Sequence, residues 1–501
     1  MEAQKLHVIF LPFPTPGHMI PMIDTARLFA KQGVNVTIIA THANASTFQK
    51  TIDSDFNSGY SIKTQLIHFP SAQVGLPEGV ENVKDGTSNE IIDKIIRGIM
   101  MLQHQIDIML HDLQPDCIVS DMAYPWTVES AAKLNIPRIY FYSSSYFSNC
   151  ASYFVRKYRP HDDLVSDTQK FTIPCLPHTI EMTPLQLADW IRVKTSATGL
   201  FVDMYDSEKR SYGTLYNSFH ELESNYEALS KTTMGIKSWS VGPVSAWINN
   251  DDERKANRGN MEMNIGKDSE LSNWLNSKPN DSVIYVCFGS LTRLSHKQIV
   301  ELAYGLENSG SNFILVVKGG EDFLHDIEKR VKESKKGYVI WNWAPQLLIL
   351  DHPATGGIVT HCGWNSILES VNAGLPMITW PMFAEQFYNE KLLVDALKIG
   401  VSVGSKVNKF WLNVVEEKAP GLNIVEEEVV VKREEIVKAV EILMGCGQEG
   451  KTMRMRAKKL ADAAKRTVEE GGHSFNNLIQ LIDELKSLKI VREHEKTRLD
   501  N

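Results

Sequence analysis

Short apolar runs alternate with amphipathic stretches along most of the chain. Residues 8–13 form the first apolar run, residues 22–32 then show helical spacing that ends at Gly33, and residues 34–40 are β-rich. Further runs typical of buried strands lie at residues 117–120, 138–142, 283–288, 313–317, 338–341, 357–360 and 377–380, with helical patterns at 127–134, 297–309 and 365–373. This alternation predicts an α/β fold with two doubly wound parallel sheets that face a cleft.

Polar stretches predict where the chain divides. We expect an N-terminal domain at residues 1–248, a linker at 249–267 and a C-terminal domain at 268–470, because the linker segment has very few aliphatic side chains. After two glycines, we expect a helix at 471–490 that packs back on the N-terminal domain, followed by a charged, frayed tail at 491–501. A second polar stretch, residues 405–428, predicts a surface loop.

Composition and charge argue against several kinds of partner. The formal net charge is -8, so the chain has no basic surplus for nucleic-acid binding. No stretch approaches the ~20 apolar residues of a transmembrane helix, and the N-terminus is typical of a strand rather than a signal peptide, so no membrane insertion is expected. The six cysteines include no CxxC pair, which predicts reduced thiols and a cytoplasmic protein.

The strongest chemical signal lies in residues 343–386. Two glycines precede a strand that ends at His361, and the sequence CGWNS at 362–366 then opens a helix. The free N–H groups and the dipole of a helix start, with a nearby imidazole, favour a bound phosphate. The same pattern also suits a helix that Asn365 or Ser366 merely caps.

This segment resembles the signature box of the plant secondary-product UDP-glycosyltransferases of family 1, because it reads WAPQLLILDHPATGGIVTHCGWNSILESVNAGLPMITWPMFAEQ. The similarity extends over the whole chain. It implies the GT-B fold, with an acceptor-binding N-terminal domain and a C-terminal domain that binds the UDP-sugar. It also implies a set of roles: Trp343 on the uracil, Ala344 and Gln346 at the base edge, Glu369 on the ribose, His361, Asn365, Ser366 and Ser290 on the diphosphate, and Trp364, Glu385 and Gln386 on the sugar.

A second candidate site follows the first predicted strand. Residues 14–21 form a loop that is similar to the family's loop with the catalytic histidine, which maps to His18 and would act as a general base. Asp121, after the predicted strand at 117–120, resembles the family's aspartate that orients this histidine. Without the resemblance, His18 would be an ordinary loop residue and Asp121 a helix N-cap.

These roles imply a direct displacement at the anomeric carbon. His18 would deprotonate the acceptor, and the diphosphate would leave, so that an α-linked donor gives a β-glycoside. No metal and no cofactor besides the UDP-sugar co-substrate is expected. The segment Asp53-Ser54-Asp55 has a DxD pattern, but we interpret it as a solvated loop.

Other functional classes fit the sequence less well. A nicotinamide oxidoreductase needs a GxGxxG motif after the first strand, but Gly17 stands alone there. A glycoside hydrolase needs two opposed carboxylates, and no clear pair is present. A UDP-sugar-binding protein without catalysis is the non-enzyme alternative, although both His18 and Asp121 are present.

The acceptor is expected to be a small lipophilic molecule. Aromatic and aliphatic residues at 140–158 and 182–205 fit a large apolar acceptor, but they also fit plain core packing. The similarity over the whole chain, including residues 10–30 and 72–82, is greatest to legume enzymes that glycosylate triterpenoid sapogenins and saponins, with flavonoids and abscisate as alternative acceptors. The resemblance implies that Gln386 favours UDP-glucose as the donor, with UDP-galactose, UDP-xylose and UDP-glucuronate as alternatives, and it suggests a monomer.

Overall fold

Two parallel β-sheets form the framework of the molecule and confirm the predicted α/β fold class. The computed structural model describes residues 5–192, 198–249, 255, 269–318, 322–408 and 430–499. The strands are β1 (His7–Leu11), β2 (Asn35–Thr41), β3 (Ile62–Ile67), β4 (Cys117–Asp121), β5 (Arg138–Tyr142), β6 (Phe171–Thr172), β7 (Glu181–Met182), β8 (Gly213–Tyr216), β9 (Ser238–Ser240), β10 (Val283–Cys287), β11 (Asn312–Val317), β12 (Gly337–Trp341), β13 (Thr355–Thr360), β14 (Met377–Thr379) and β15 (Gly400–Ser402).

Each sheet reverses its strand order near the middle. The first is seven-stranded, in the order β3-β2-β1-β4-β5-β8-β9, and the second is six-stranded, in the order β12-β11-β10-β13-β14-β15. Every neighbouring pair in both sheets is parallel, whereas β6 and β7 form a separate antiparallel pair. In such sheets, the carboxyl ends of the strands at the reversal open a crevice for a ligand.

Helices connect the strands. They are α1 (Pro16–Lys31), α2 (His42–Ser46), α3 (Gln49–Asn57), α4 (Ser71–Val74), α5 (Asn89–Met101), α6 (Gln103–Leu113), α7 (Thr127–Lys133), α8 (Tyr146–Tyr158), α9 (Asp189–Arg192), α10 (Thr198–Arg210), α11 (His220–Leu229), α12 (Val244–Ile248), α13 (Glu270–Asn276), α14 (His296–Asn308), α15 (Asp322–Ser334), α16 (Gln346–Asp351), α17 (Trp364–Ala373), α18 (Gln386–Lys391), α19 (Arg433–Met444), α20 (Gln448–Thr467) and α21 (His473–Leu499). None of the described helices has both the length and the apolar character needed to span a bilayer.

Both faces of each sheet are buried, which explains the continuous apolar runs in the sequence. Along β1, Val8 and Phe10 pack with α1 and α21, whereas Ile9 and Leu11 pack with α5 and α6 on the other face. In the second sheet, Tyr285 belongs to the cluster that includes α17, and the residues on either side of it face α14 and α19. Alternate side chains of one strand therefore serve two cores.

The first helix begins earlier than the predicted start at residue 22. Pro16 is its first residue, and Thr15 is an extended N-cap. The first N–H groups of a helix need no intrahelical acceptor, so proline is tolerated at that position although it usually signals a loop. His18 consequently lies in the first turn of α1 and not in a loop.

The interpretation of Asp53-Ser54-Asp55 as a solvated loop is wrong. These residues lie in α3, and Asp55 is buried. Arg27 of α1 is also buried; its Nε donates to Asp55 Oδ2 over 2.5 Å and its Nη2 donates to Asp55 Oδ1 over 3.3 Å. The buried charge of Asp55 is therefore balanced by a partner that is distant in sequence.

The last helix is longer than predicted, because α21 continues to Leu499 where a frayed tail is expected. Two of its cations reach Asp116, just before β4: Lys489 Nζ lies 2.9 Å from Oδ2, and Arg492 donates to Oδ1. Apolar residues of α21 also join the core of the first sheet. These contacts hold the C-terminal helix against the N-terminal half of the chain.

Two expected polar segments lie mostly outside the described residues. For the linker at 249–267, only Asn249 and Lys255 are described, and for the loop at 405–428 only the first four residues are described. Among those, Asn408 is buried and its N–H donates to the Leu185 carbonyl over 2.7 Å. All six cysteines are free thiols, of which Cys175 and Cys446 are exposed.

Candidate active site

A cleft of about 600 Å³ lies at the carboxyl ends of the strands of both sheets. Nearly all the predicted site residues line it: His18, Ser290, Trp343, Ala344, Gln346, His361, Trp364, Asn365, Ser366, Glu369, Glu385 and Gln386. Asp121 is the exception, because it is fully buried and contacts His18 from behind. The structure therefore brings both predicted sites together in one cleft.

His18 and Asp121 meet because β1 and β4 are neighbours and the chain leaves both strands at the same edge. His18 Nδ1 lies 2.9 Å from Asp121 Oδ2, and Asp121 Oδ1 accepts the N–H of Ala123 over 2.9 Å. The Asp121 side chain is 0% exposed, whereas 25% of the His18 side chain is exposed. The pair thus has a fixed inner half and an accessible outer half.

The second ring nitrogen of His18 faces Ser143, which directly follows β5. The Ser143 Oγ lies 3.3 Å from His18 Nε2. The carboxylate of Asp121 can only accept, so Nδ1 carries the proton and Nε2 carries the lone pair of the neutral ring. A hydroxyl of a bound molecule near Ser143 would face this lone pair.

Opposing effects set the pKa of His18. Burial lowers this pKa, whereas the charge and hydrogen bond of Asp121 and the charge of Glu385 raise it. The net shift is upward from the ordinary histidine value. His18 is therefore a stronger base than a free histidine, and it keeps a bound proton to higher pH.

Pro21 leaves a hydrogen-bond acceptor open beside His18. It lies inside α1 and has no N–H, so the carbonyl of Gly17, four residues earlier, receives no helical hydrogen bond from it. The Nδ2 group of Asn365 donates to that carbonyl over 2.8 Å. The turn that carries His18 is therefore bonded directly to the start of α17.

The start of α17 has the properties of an anion site. Gly363 is its N-cap and supplies no side-chain cap, so the first N–H groups lack a helical acceptor. The positive end of the helix dipole lies at the same place. Ser366 Oγ accepts from Gln346 Nε2 over 3.3 Å, which leaves the Ser366 hydroxyl proton for another acceptor.

Glycines on both sides make room for the His361 ring. A Cβ atom at Gly289, where φ is 71°, would lie 2.5 Å from His361 Cε1, and one at Gly363 would lie 2.4 Å from Nε2. Within the described residues, the buried Nδ1 has no hydrogen-bond partner. Burial, together with the charge of Lys318, lowers the pKa of His361 to about 4, so the ring is neutral near pH 7.

Gln346 organises the end of the cleft that is expected to hold the nucleoside. Its Nε2 donates to Glu369 Oε2 over 2.6 Å, and its Oε1 accepts from the Tyr285 hydroxyl over 3.2 Å. Trp343, which is half-buried, lines the same cleft. These contacts fix the orientation of the side chains that are expected at the base and the ribose.

Two residues expected at the sugar already have protein partners. The Trp364 indole N–H donates to the Asn217 carbonyl over 2.7 Å, so this side chain joins the two halves of the molecule. Gln386 Oε1 accepts from the N–H groups of Met382 and Phe383 over 2.9 and 3.1 Å. The Nε2 group is therefore the part of the Gln386 amide that is left for a ligand.

Glu385 is the acidic residue of the cleft that acts on His18. Burial raises the pKa of Glu385, while the charge of His18 and a hydrogen bond from Ser144 lower it by less. The carboxyl group therefore lies near His18 and is partly shielded from solvent.

The N-terminal wall of the cleft is largely apolar. Its lining includes Phe13, Ile96, Met122, Trp190, Leu200 and Phe201. Trp190 stacks on Phe201 with the ring centroids 4.5 Å apart. In α8, however, Phe147 and Phe154 are buried in the core, and Ser148 and Ser152 line the cleft instead. The aromatic content of residues 140–158 thus reflects mainly core packing.

Ser143 and Lys318 are polar cleft residues that were not among the predicted site residues. Each follows a strand at the carboxyl edge of its sheet, and that position was the available signal. Lys318 Nζ donates to the Gly289 carbonyl over 2.5 Å. Burial lowers the pKa of Lys318 to about 8.

A group with metal-ligand chemistry lies away from the cleft. Candidate ligand atoms of His220, Glu227 and His473 lie within 4.8 Å of one another. Lys231 is ion-paired with Glu227 over 2.8 Å, and none of these residues lines the cleft. The group belongs to the contact between α11 and α21, and the chemistry of the cleft does not involve it.

Known proteins resemble this chain over almost its full length. The family described as UDP-glucoronosyl and UDP-glucosyl transferase matches residues 89–408. A soyasapogenol B glucuronide galactosyltransferase of Glycine max is 51% identical and covers 99% of both chains. A scopoletin glucosyltransferase of Nicotiana tabacum is 41% identical over 96% of this chain and 98% of its own.

Solved structures agree with this comparison. Glycyrrhiza uralensis UGT73P12, crystallised with glycyrrhetinic acid 3-O-monoglucuronide, has a TM-score of 0.92 and 47% identity over 99% of both chains. Arabidopsis thaliana UGT89C1, crystallised with UDP-L-rhamnose, has a TM-score of 0.73 and 28% identity over 97% of this chain and 100% of its own. The family and the GT-B fold predicted from the sequence are thereby confirmed. The chain belongs to the UDP-glycosyltransferase family and is an enzyme that transfers a sugar from a UDP-sugar to a small molecule.

Proposed function

We propose that this enzyme transfers a hexose, with inversion, to a hydroxyl or carboxyl group of a large lipophilic acceptor. The position of His18 carries the proposal. Asp121 holds Nδ1, while Nε2 lies 3.3 Å from the Ser143 hydroxyl at the cleft. A base held in this way suits the removal of a proton from an acceptor hydroxyl.

The proposed reaction is a single displacement. His18 Nε2 takes the acceptor proton as the acceptor oxygen attacks the anomeric carbon. The bond from that carbon to the diphosphate oxygen breaks, and the diphosphate leaves with both electrons. Asp121 stabilises the imidazolium without taking its proton. Attack opposite the leaving group inverts the centre, so an α-linked donor gives a β-glycoside.

The UDP group is proposed to lie along the carboxyl edge of the second sheet. Trp343 would stack on the uracil, beside the Ala344 region, and Glu369 would bond the ribose hydroxyls. The start of α17, with Ser366 and Ser290, would hold the diphosphate. Because its pKa is about 4, His361 would contribute a hydrogen bond rather than a charge.

A triterpenoid sapogenin or saponin is the proposed acceptor. The apolar wall of the cleft supports a large lipophilic molecule. The relative at 51% identity is named for a soyasapogenol B glucuronide, and the relative at 47% identity was crystallised with a glycyrrhetinic acid monoglucuronide. We therefore propose, more specifically, that the acceptor already bears a glucuronic acid. Flavonoids and abscisate are the alternatives, and the relative named for scopoletin favours including phenolic acceptors.

Glucose is the proposed sugar, because the Gln386 amide supports recognition of equatorial hydroxyls. The backbone contacts of its Oε1 mean that Gln386 would act through its Nε2 donors. One relative is named a galactosyltransferase, so UDP-galactose, which differs at one stereocentre, is the second donor to test.

We also propose that the enzyme is a cytoplasmic monomer without a metal or other cofactor. Its free thiols, which include the buried Cys117, Cys150 and Cys362, suit a reducing compartment. Light scattering coupled to size exclusion tests the monomer, and imaging of a fluorescent fusion tests the compartment.

A mass-spectrometric transfer assay tests the function. Purified enzyme is incubated with UDP-glucose or UDP-galactose and with separate pools of sapogenins, sapogenin glucuronides, flavonoids, scopoletin and abscisate. We expect the mass of one hexose to be added to a triterpenoid, and the β-anomer to be identified by NMR.

The His18→Ala variant is the matched control. We expect it to lose roughly 10²–10⁴-fold in rate while UDP binding is retained, because the base touches the acceptor and not the nucleotide. Transfer only to phenolics would overturn the acceptor assignment. Normal turnover by the variant would overturn the role of His18.

A further inference from the structure

Lys318 lies beside the residues assigned to the diphosphate. It directly follows β11 and lines the same cleft as Ser290 and His361. Its Nζ donates to the Gly289 carbonyl over 2.5 Å. Gly289 in turn is in close contact with the His361 ring. An ammonium group is thus held at the wall of the cleft where the diphosphate is expected.

The charge of Lys318 has no carboxylate partner within the described part of the chain. The titratable and charged groups that act on it are the Cys287 thiol at the end of β10, Arg293 in the following loop, and His361 at the end of β13. Glu369 of α17 acts on Cys287, the neighbour of Lys318. A partly buried charge without a counter-ion is unfavourable, and a bound anion would relieve this cost.

The other groups at the proposed diphosphate site offer no full positive charge. His361 is neutral near pH 7 because its pKa is about 4. The start of α17 contributes N–H donors and a partial charge of the helix dipole. A diphosphate brings several negative charges, so a cation is the component that these groups lack.

We propose that Lys318 is a further donor-binding residue, whose ammonium group contacts the diphosphate of the UDP-sugar from the β11 side while α17 binds it from the other. The inference rests on the proposed placement of the diphosphate at α17. When the bond to the sugar breaks, the leaving diphosphate gains negative charge, and the same contact stabilises it.

Proton uptake provides a signature of this contact. Burial lowers the pKa of Lys318 in the free enzyme to about 8, the Cys287 thiol opposes that shift, and Arg293 adds to it. A bound diphosphate favours the charged form and raises the pKa of Lys318. Lys318 is charged in the free enzyme below pH 8 and increasingly neutral above it, so UDP affinity falls as the pH rises through this value.

Binding of UDP and of uridine, measured by calorimetry, separates the phosphate contact from the nucleoside contact. We expect Lys318→Met to bind UDP roughly tenfold to a hundredfold more weakly at pH 7 and to bind uridine unchanged. Lys318→Arg should keep most of the UDP affinity. Lys336→Met is the matched control, since Lys336 also donates to a glycine carbonyl, that of Gly310, but is exposed and outside the cleft.

The pH series adds a second readout. Wild-type enzyme should bind UDP about tenfold more weakly at pH 9 than at pH 7, whereas Lys318→Arg and Lys318→Met should show little of this change. Uridine measured at each pH corrects for titration of the base and of other protein groups.

The same binding measurements on Ser366→Ala distinguish failure of this inference from failure of the proposed placement of the diphosphate at α17. One result would reject the role of Lys318 alone: Ser366→Ala weakens UDP binding, whereas Lys318→Met either leaves UDP binding unchanged or weakens the binding of UDP and uridine equally. The diphosphate would then still be placed at α17. If neither variant changes UDP binding relative to uridine, the placement of the diphosphate is rejected together with the inference.

Discussion

The two ring nitrogens of His18 have separate tasks at the scale of single residues. Nδ1 is fixed by a carboxylate that is itself held by the backbone of Ala123, while Nε2 faces the cleft. Asp121 thereby selects the tautomer, orients the ring and raises the pKa of His18, while burial opposes that rise. In its proposed role as the base, His18 is therefore already oriented toward the cleft where an acceptor hydroxyl would lie.

Replacing Asp121 by asparagine should change both the rate and its pH dependence. His18 must be neutral to act, so kcat/KM rises with pH through the pKa of His18. Without the carboxylate, burial dominates and the pKa of His18 falls below its ordinary value. We expect a much lower maximum rate and an acidic limb shifted to lower pH, measured at saturating UDP-sugar.

UDP binding provides the control for this variant, because Asp121 does not line the cleft. If kcat/KM of the variant rises with pH over the same range as in the wild type, His18 is not the group whose titration controls the rate. A limb that moves to higher pH would contradict the electrostatic role of Asp121.

At the scale of elements, the start of α1 and the start of α17 form one unit. Pro21 cannot donate to Gly17, and Asn365 takes the place of the missing helical hydrogen bond. The bond spans the cleft next to His18, so His18 and the proposed diphosphate site are positioned by the same contact.

The Pro21→Ala substitution should weaken this contact by giving Gly17 a helical partner. The new N–H competes with Asn365 for the Gly17 carbonyl. We expect Pro21→Ala and Asn365→Ala to lower kcat/KM non-additively, with a coupling of about 1 kcal/mol in a double-mutant cycle. The measurement is kcat/KM of both single variants and the double variant.

Pro16→Ala is the matched control for the cycle. Pro16 is the first residue of α1, where an added N–H has no helical acceptor. It should show no coupling to Asn365→Ala. Strict additivity of Pro21→Ala with Asn365→Ala would mean that Pro21 does not act through the Gly17 carbonyl.

Local patterns explain which elements could be predicted from the sequence. Strands such as β5 and β11 were located to within a residue, because burial on both faces gives continuous apolar runs. The start of α1 was missed because its prolines resemble loop signals. Asp55 was misread because its partner, Arg27, lies on another helix. A charged residue is predicted to be exposed from its own polarity, because the sequence does not show which distant residue will be its partner in the folded chain.

The residues of the candidate site also fall into those that the sequence predicted and those that it did not. Residues in the signature box were found because a resemblance assigns each position a role. Lys318 and Ser143 were missed because each is a common residue after a strand, and its meaning depends on which strands are neighbours. Sheet order places Ser143 beside His18, and no pattern within one segment contains that information.

At the scale of the whole molecule, α21 fastens the end of the chain to the first sheet. Asp116 is buried, and Lys489, Arg492 and the N–H of His7 all donate to its carboxylate. Removing the carboxylate by Asp116→Ala takes away the buried anion that Lys489 and Arg492 share, and leaves Lys489 with the Lys5 carbonyl and a longer ion pair to Glu493. We expect this change to lower the free energy of unfolding by about 3 kcal/mol, measured by urea denaturation.

An exposed ion pair on the same helix is the control. Lys486 Nζ lies 3.0 Å from Asp483 Oδ1, and both side chains are more than half exposed. Asp483→Ala should leave the urea midpoint nearly unchanged. Equal effects of the two substitutions would show that the buried pairs do not fasten α21.

Removal of divalent ions should leave the transfer rate unchanged. In the proposed mechanism, the charge of the diphosphate is met by the start of α17 and by side chains of the cleft. The measurement is the transfer rate after EDTA treatment and after adding back Mg²⁺ or Mn²⁺. Inhibition that these ions reverse would mean that a metal takes part in diphosphate departure.

The bonds that join the two halves at the cleft have a consequence for how this enzyme can change. Trp364 and Asn365 donate to the main-chain carbonyls of Asn217 and Gly17. Every amino acid carries such a carbonyl, so these contacts do not depend on the identity of the side chains at positions 17 and 217. The one N-terminal residue that they require is the proline at position 21. Hybrids that join this C-terminal half to the N-terminal half of a relative should keep both bonds. With the acceptor and the donor bound as proposed, acceptor preference can therefore diverge in one half while donor recognition is inherited unchanged in the other.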